Sequence, residues 1–281
     1  MGKSYDRKRL SDMPDSLKID SRRKMCLRLF LPLWCALVAV PCGAQDAAKP
    51  PTDQVRPAVQ DDLKNAINEV RGGDYAYVDQ IVEDAGEKDS DHILQSLFAE
   101  NPDAETKCII ASALIKVGNR DDRYWSYLVS RARDSLDIDI PNPVSFGEDG
   151  KEIKGKISPE FDKWAKSQEN TDEPWAKDPF FGPMLPLGLL GGTGDPRAIP
   201  LLRRGLLARS YLIEAVAAEG LAELHDKDSI QLILDACKRA PADAAFGIAM
   251  MLLQFNDPEA QAAAEPFFPK DLVQKLHDQQ H

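Results

Sequence analysis

Gly194-Asp195-Pro196-Arg197-Ala198-Ile199-Pro200-Leu201-Leu202, continued from Ser210 by Tyr211-Leu212-Ile213-Glu214-Ala215-Val216-Ala217-Ala218-Glu219-Gly220-Leu221-Ala222-Glu223-Leu224, reads as one pair of helices. Asp195 supplies an N-cap, and Pro196 fills the first helical position, where no amide hydrogen is required. Ile199, Leu202 and Leu206 then recur at helical steps on the outer helix. Ser210 opens the inner helix. Along it Leu212, Val216, Gly220 and Leu224 form one row and Ile213, Ala217 and Leu221 the next. That stripe is wide and broken by small residues, so other helices can approach it closely on both sides.

The same reading recurs in both directions. Asp195, Asp226 and Asp257 open equivalent breaks 31 residues apart, and a period between about 20 and 50 residues signals stacked supersecondary units. The unit after Asp226 places Ile230, Ile233 and Leu234 on its first helix and Ala245, Phe246, Ala249, Met250 and Leu253 on its second. Pro258 starts another first helix behind Asp257. Upstream, Asp121 and Asp89 are placed as looser corners, with Ala104 to Val117 as the inner helix between them, and 57–70 with 75–85 as the first pair joined at Gly72-Gly73. The step from Asp121 to Asp195 is 74 residues, so one unit is split by an insert. The expected fold is all-α, an α-solenoid of about six helix pairs over residues 57–281, interrupted by the insert 138–180. Within the insert, Pro141-Asn142-Pro143 ends the preceding helix. Asp149-Gly150 sits between Val144-Ser145-Phe146 and Ile153 to Ile157 as a β-hairpin turn, and Pro159 to Ser167 forms a short helix.

The repeat units, above all Gly194 to Leu202 with Ala215 to Leu224, are similar to HEAT repeats, particularly the subclass named after phycobilisome lyases. The similarity runs from about Gly194 to Ala264, is looser from Asp89 to Leu136, and stops across the insert. It implies a helical superhelix that binds another protein along a concave surface made by its inner helices, as a scaffold or adaptor. The lyase members attach bilin pigments inside cells. An exported chain departs from that setting.

Export is read from residues 1–44. Arg22, Arg23, Lys24 and Arg28 lead into the apolar run Leu29 to Val40, and Cys42-Gly43-Ala44 offers small residues for cleavage. A membrane span needs about 20 apolar residues, more than this run supplies. A cleaved signal peptide, a flexible linker over 45–56 and a periplasmic or secreted location are therefore expected, with an uncleaved N-terminal anchor as the alternative. Met13 and Met25 compete with Met1 as the start. Removing 1–44 takes the net charge from −11 to −16. That balance disfavours nucleic acid and anionic lipid and points to a basic protein partner. Cys108 and Cys237, on separate repeats among apolar neighbours, are read as buried, unbonded thiols.

No assembled chemistry is legible. His92, His225, His277 and His281 match no zinc spacing. Gly191-Gly192-Thr193-Gly194 lacks the lysine of a phosphate loop and follows a helix, so it reads as an inter-helix turn. Lys156 stands where a calcium loop around Asp149-Gly150 would need a bidentate glutamate. Catalytic, cofactor and metal residues are therefore assigned as none. Two readings remain. In the first the chain binds a protein without catalysis, through its concave face or through Trp164 and Trp175 of the insert, since tryptophan is favoured at interface hot spots. The alternative is an extracytoplasmic enzyme, a hydrolase or lyase-like, drawing on Asp149, Glu152, Glu160 and Asp162.

Overall fold

The computed structural model describes residues 88–279, apart from 102, 170, 172–178, 180, 181 and 256; all lie in the unit Asp46–His281. The expected signal, linker and first helix pair, with Trp175 and His281, lie outside the described residues. What is described is mostly helical, with one two-stranded sheet. In chain order come α1 (Lys88–Glu100), α2 (Ala104–Lys116), α3 (Asp122–Asp137), β1 (Val144–Phe146), β2 (Glu152–Ile157), α4 (Pro159–Gln168) and α5 (Leu185–Gly191). They are followed by α6 (Ile199–Gly205), α7 (Tyr211–Glu223), α8 (Ile230–Arg239), α9 (Ala242–Met250), α10 (Pro258–Ala264) and α11 (Lys270–Gln279). Short 3-10 turns lead α6 and α8, and Met251–Phe255 prolongs α9 in the same tight form. Among the described residues no helix is long and apolar enough to cross a membrane.

Helices close in the chain pack against one another. α1 lies on α2, α3 on α5, α6 on α7 and α8 on α9, while the second helices α2, α5, α7 and α9 pack on one another in succession. Helices α3 and α5 meet although the chain between them runs from Ile138 to Met184. Leu187, Leu189, Leu190, Leu202 and Leu221, carried by α5, α6 and α7, are each at most 1% exposed. Cys108 and Cys237 are buried and free, and burial pushes both thiols up to about 12.

Helix α5 is only seven residues long, Leu-Pro-Leu-Gly-Leu-Leu-Gly, and every one of them is buried. A helix so short cannot hold itself in water, and one apolar on all sides must be covered. Its close packing on α7 follows from glycine. A Cβ on Gly191 would lie 2.5 Å from Gly220 Cα, and one on Gly220 would lie 2.9 Å from Gly191 Cα and 3.0 Å from Leu202 Cδ2. One layer out, a Cβ on Gly205 would meet Ala217 Cβ at 2.8 Å. Backbone therefore touches backbone where α5 crosses α7, and α6 settles on the alanine face of α7.

The corner aspartates behave as expected at three positions. Asp121 accepts from the Arg123 amide, Asp195 from the Arg197 amide, and Asp257 from the amides of Glu259 and Ala260. Two corners depart from the sequence reading. Asp89 falls inside the first turn of α1, and it is Asp91 that joins the next corner, accepting from Asn119 Nδ2 at 2.8 Å. Asp226 holds its place in the register but caps nothing. With Lys227 where the Asp195 and Asp257 corners have proline, its carboxylate turns to Arg203 at 2.8 and 3.0 Å, and to the Ser229 hydroxyl. One residue earlier, His225 takes the left-handed conformation (φ 51°) that Gly194 takes one period before (φ 71°).

Replacing Gly191 or Gly220 by alanine is expected to lower stability by about 1–3 kcal/mol, because overpacking against backbone exceeds the ~1 kcal/mol that alanine returns through helix propensity. Gly192→Ala, whose Cβ would meet nothing closer than 3.6 Å, serves as the control and should change stability far less. Urea unfolding of the three variants decides the comparison.

Candidate functional site

The insert offers the largest departure from the repeat, and its geometry begins where α3 stops. Asp137 ends α3 and Ile138 turns extended, three residues before the prolines that were expected to end it. The side chain of Ile140 is buried and carries the chain past α7. The Tyr211 amide at the start of α7 donates to Asn142 Oδ1 at 2.8 Å. β1 and β2 then run antiparallel, and Gly147 N–H donates to Lys151 O at 2.8 Å across the turn. Gly150 adopts φ 74° at the tip, where the sequence placed the turn. Pairing of Val144 with Ile157 and of Phe146 with Glu152 leaves β2 three residues longer than its partner, so it bulges around Gly155 at φ 73°.

The tip is fastened to a second helix. Asp243 at the start of α9 donates its amide to Gly150 O at 3.2 Å, and its carboxylate accepts from the Glu152 amide at 2.8 Å. Phe146 and Tyr211 meet edge to face, ring centroids 5.6 Å apart. Arg209, on the turn between α6 and α7, bonds Asp139 at 3.2 Å and also Glu160 of α4, while Arg204 reaches Asp137. Between the root of the insert and that turn lies a cleft of about 190 Å³, lined by Ile138, Ile140, Leu207, Ala208 and Ile213 among others. Leu207 at its rim is 74% exposed.

Trp164 sits on α4 with its ring 5.4 Å from Phe161, which is 6% exposed. It is half-buried, so much of the ring packs within the insert itself. Trp175 lies outside the described residues. The exposed apolar surface of the insert comes instead from β2, every residue of which is exposed; Ile153 and Ile157 are 40% and 59% accessible. Sequence reading passed over those two isoleucines because they alternate as ordinary strand residues. It also missed Asn142, Asp243 and Arg209 as anchors, although an asparagine pinned between two prolines was a visible signal.

The carboxylates considered for catalysis are not gathered. Asp149 holds the Lys151 amide and ammonium within the turn, Glu160 meets Arg209, and Asp162 bonds Lys166 one helical turn on. Only the amide of Glu152 is engaged at the dock. Among the described residues no group of three or more His, Cys, Asp or Glu is placed to hold a metal ion. His92 is exposed on α1, and His225 occupies its turn.

One carboxyl group stands apart. Glu214 on α7 is 6% exposed, and burial pushes its pKa up to about 7 even though Arg239 donates to it at 3.1 Å. The guanidinium is half in water and also serves Leu206 O at 2.8 Å, so one contact does not offset desolvation. At the corners the opposite holds. Hydrogen bonds from Arg123, Arg197 and Lys227 hold Asp121, Asp195 and Asp257 below the usual carboxylate range.

No family model, curated protein or solved structure matches this chain.

The Glu214 shift has a defined sign. A folded-state pKa raised from 4.5 to about 7 means folding favours the protonated acid, so stability is highest below the lower value and declines as pH rises through the higher one. Chemical unfolding between pH 5 and pH 8 should show that decline, and Glu214→Gln, which mimics the neutral acid, should flatten it. The corner aspartates act below this window, where their stabilisation is lost as pH falls and they protonate.

Proposed function

We propose that this chain is an exported, non-catalytic scaffold of the HEAT-like solenoid type that holds another protein, and that the insert is its principal contact surface. Support for the solenoid comes from second helices that pack in chain order and from corner residues that link successive units. Arg197 reaches Asp122 at 3.4 Å, Arg203 reaches Asp226, and Lys227 reaches Asp257 at 2.7 Å. Support for export comes from the basic and apolar run in residues 22–44, and for a basic partner from the acidic balance of the rest.

The observation that carries the binding reading is the exposure of β2 on an insert anchored at two helix starts. A surface of that kind presents Ile153 and Ile157 in a fixed geometry, which limits the ordering entropy a partner's docking would cost. The second helices offer less. All of α5 is buried, and on α7 Glu223 is the exposed residue while Tyr211, Ala215 and Glu219 are partly covered. Contact through β2, with Trp164 and Trp175 in support, therefore fits better than contact along the middle of a concave row.

Affinity capture on the protein purified from the compartment that contains it, followed by identification of what is retained, tests this. A specific partner should be captured by the native chain, and Ile153→Asp combined with Ile157→Asp should weaken its retention at least tenfold while leaving the unfolding midpoint unchanged. Retention that survives this double substitution and Trp164→Ala would exclude the insert as the contact surface.

A further inference from the structure

Several helices of this protein start behind a side-chain cap, and of those that do not, two begin against the insert. Asp103 caps α2, accepting from the Thr106 amide at 2.9 Å, and Asp121, Asp195 and Asp257 serve the first helices. At α7 the N-cap residue is Ser210 and at α9 it is Pro241, and neither makes a side-chain capping bond. An uncapped start leaves amide donors without intrahelical partners. In both helices the insert supplies the acceptor, through Asn142 Oδ1 for the Tyr211 amide and through Gly150 O for the Asp243 amide. The insert leaves the repeat after α3, so its root reaches the next unit and its tip the unit after that. Of the other second helices, α2 carries its own cap, whereas the fully buried α5 starts at Met184 without one.

We propose that the insert is a strap, and that the first turns of α7 and α9 open and close together with it as one cooperative unit. Each anchor depends on the geometry of the others. Gly150 lies so close to α9 that a Cβ would come 2.7 Å from the Ala242 nitrogen, and at φ 74° a side chain there is strained as well. Asp243 closes the dock from the other side by accepting the Glu152 amide. The ring contact of Phe146 with Tyr211 and the two bonds of Arg209 tie the root to the α6–α7 turn. Lifting the tip removes the acceptor for α9 and loosens the hairpin that holds Phe146 on Tyr211. A protein seated on β2 would therefore stiffen two repeats at once, although the strap itself does not rest on such binding.

Hydrogen exchange followed by mass spectrometry on the full chain tests the coupling. Gly150→Ala alters only the tip, yet the amides at the start of α7, together with those at the start of α9, should exchange roughly five- to tenfold faster, the scale expected for a lost cap. The amides of α10, which Asp257 caps and the strap does not touch, should keep their native rate. Acceleration confined to α9, with α7 unchanged, would overturn the proposal. If Gly150→Ala loosens α10 too, the milder Asp243→Ala is read by the same two outcomes, and Asn142→Ala supplies the reciprocal test from root to tip.

Discussion

Backbone contact between Gly191 and Gly220 is the constraint on which the remaining packing rests. It lets α5, too short and too apolar to exist alone, lie directly on α7, and α7 in turn bears α6, α9 and the Met251–Phe255 turn. Glycine in a helix interior is worth about 1 kcal/mol less than alanine. That penalty at Gly220 is offset where the helices lie this close, since Leu187, Leu189, Leu190, Leu202 and Leu221 on α5, α6 and α7 are all fully buried and burial of each contributes about 1.5–3 kcal/mol. The balance favours glycine at this crossing, and Gly205 leaves room for Ala217 in the same way.

Polar contacts then set register around that seam. Ion pairs between exposed side chains add little free energy, since solvent screens them and ordering long side chains opposes them. Their regularity along the corners matters more for alignment than for strength. Asp226 is the exception in kind, its side chain only 9% exposed and bound by both Arg203 and Ser229, so this link between two units works in a drier setting than the others. Glu214 and Arg239 form a second link, from α7 to α8, buried on the glutamate side only, where desolvation of the carboxyl prevails over pairing.

The insert combines both devices. It supplies hydrogen-bond acceptors to two helix starts that have none of their own, and in exchange its hairpin, a two-stranded ribbon of a kind that is marginal alone in water, gains a scaffold to lie on. Lys154 and Lys156 on β2, with the bulge at Gly155, keep its outer edge from acting as a flat template for another strand. Its exposed isoleucines are thus held in place on a strand that resists indiscriminate pairing.

Local signals determined a good deal of this protein. The 31-residue spacing of Asp195, Asp226 and Asp257, the proline after two of them, the helical rows of Leu212 to Leu224 and the Asp149-Gly150 turn are all written within a few residues of where they act, so helix, corner and hairpin could be read directly. Capping by Asp195 and Asp257 was legible for the same reason. The turning of Asp226 toward Arg203, the anchoring of the insert by Asn142, Asp243 and Arg209, and the neutral tendency of Glu214 were not. Each depends on groups 23 to 91 residues apart, brought together only when the helices stack. A side chain's chain neighbours dictate which element it joins, but its partners across layers, and the water they exclude, decide what it does there.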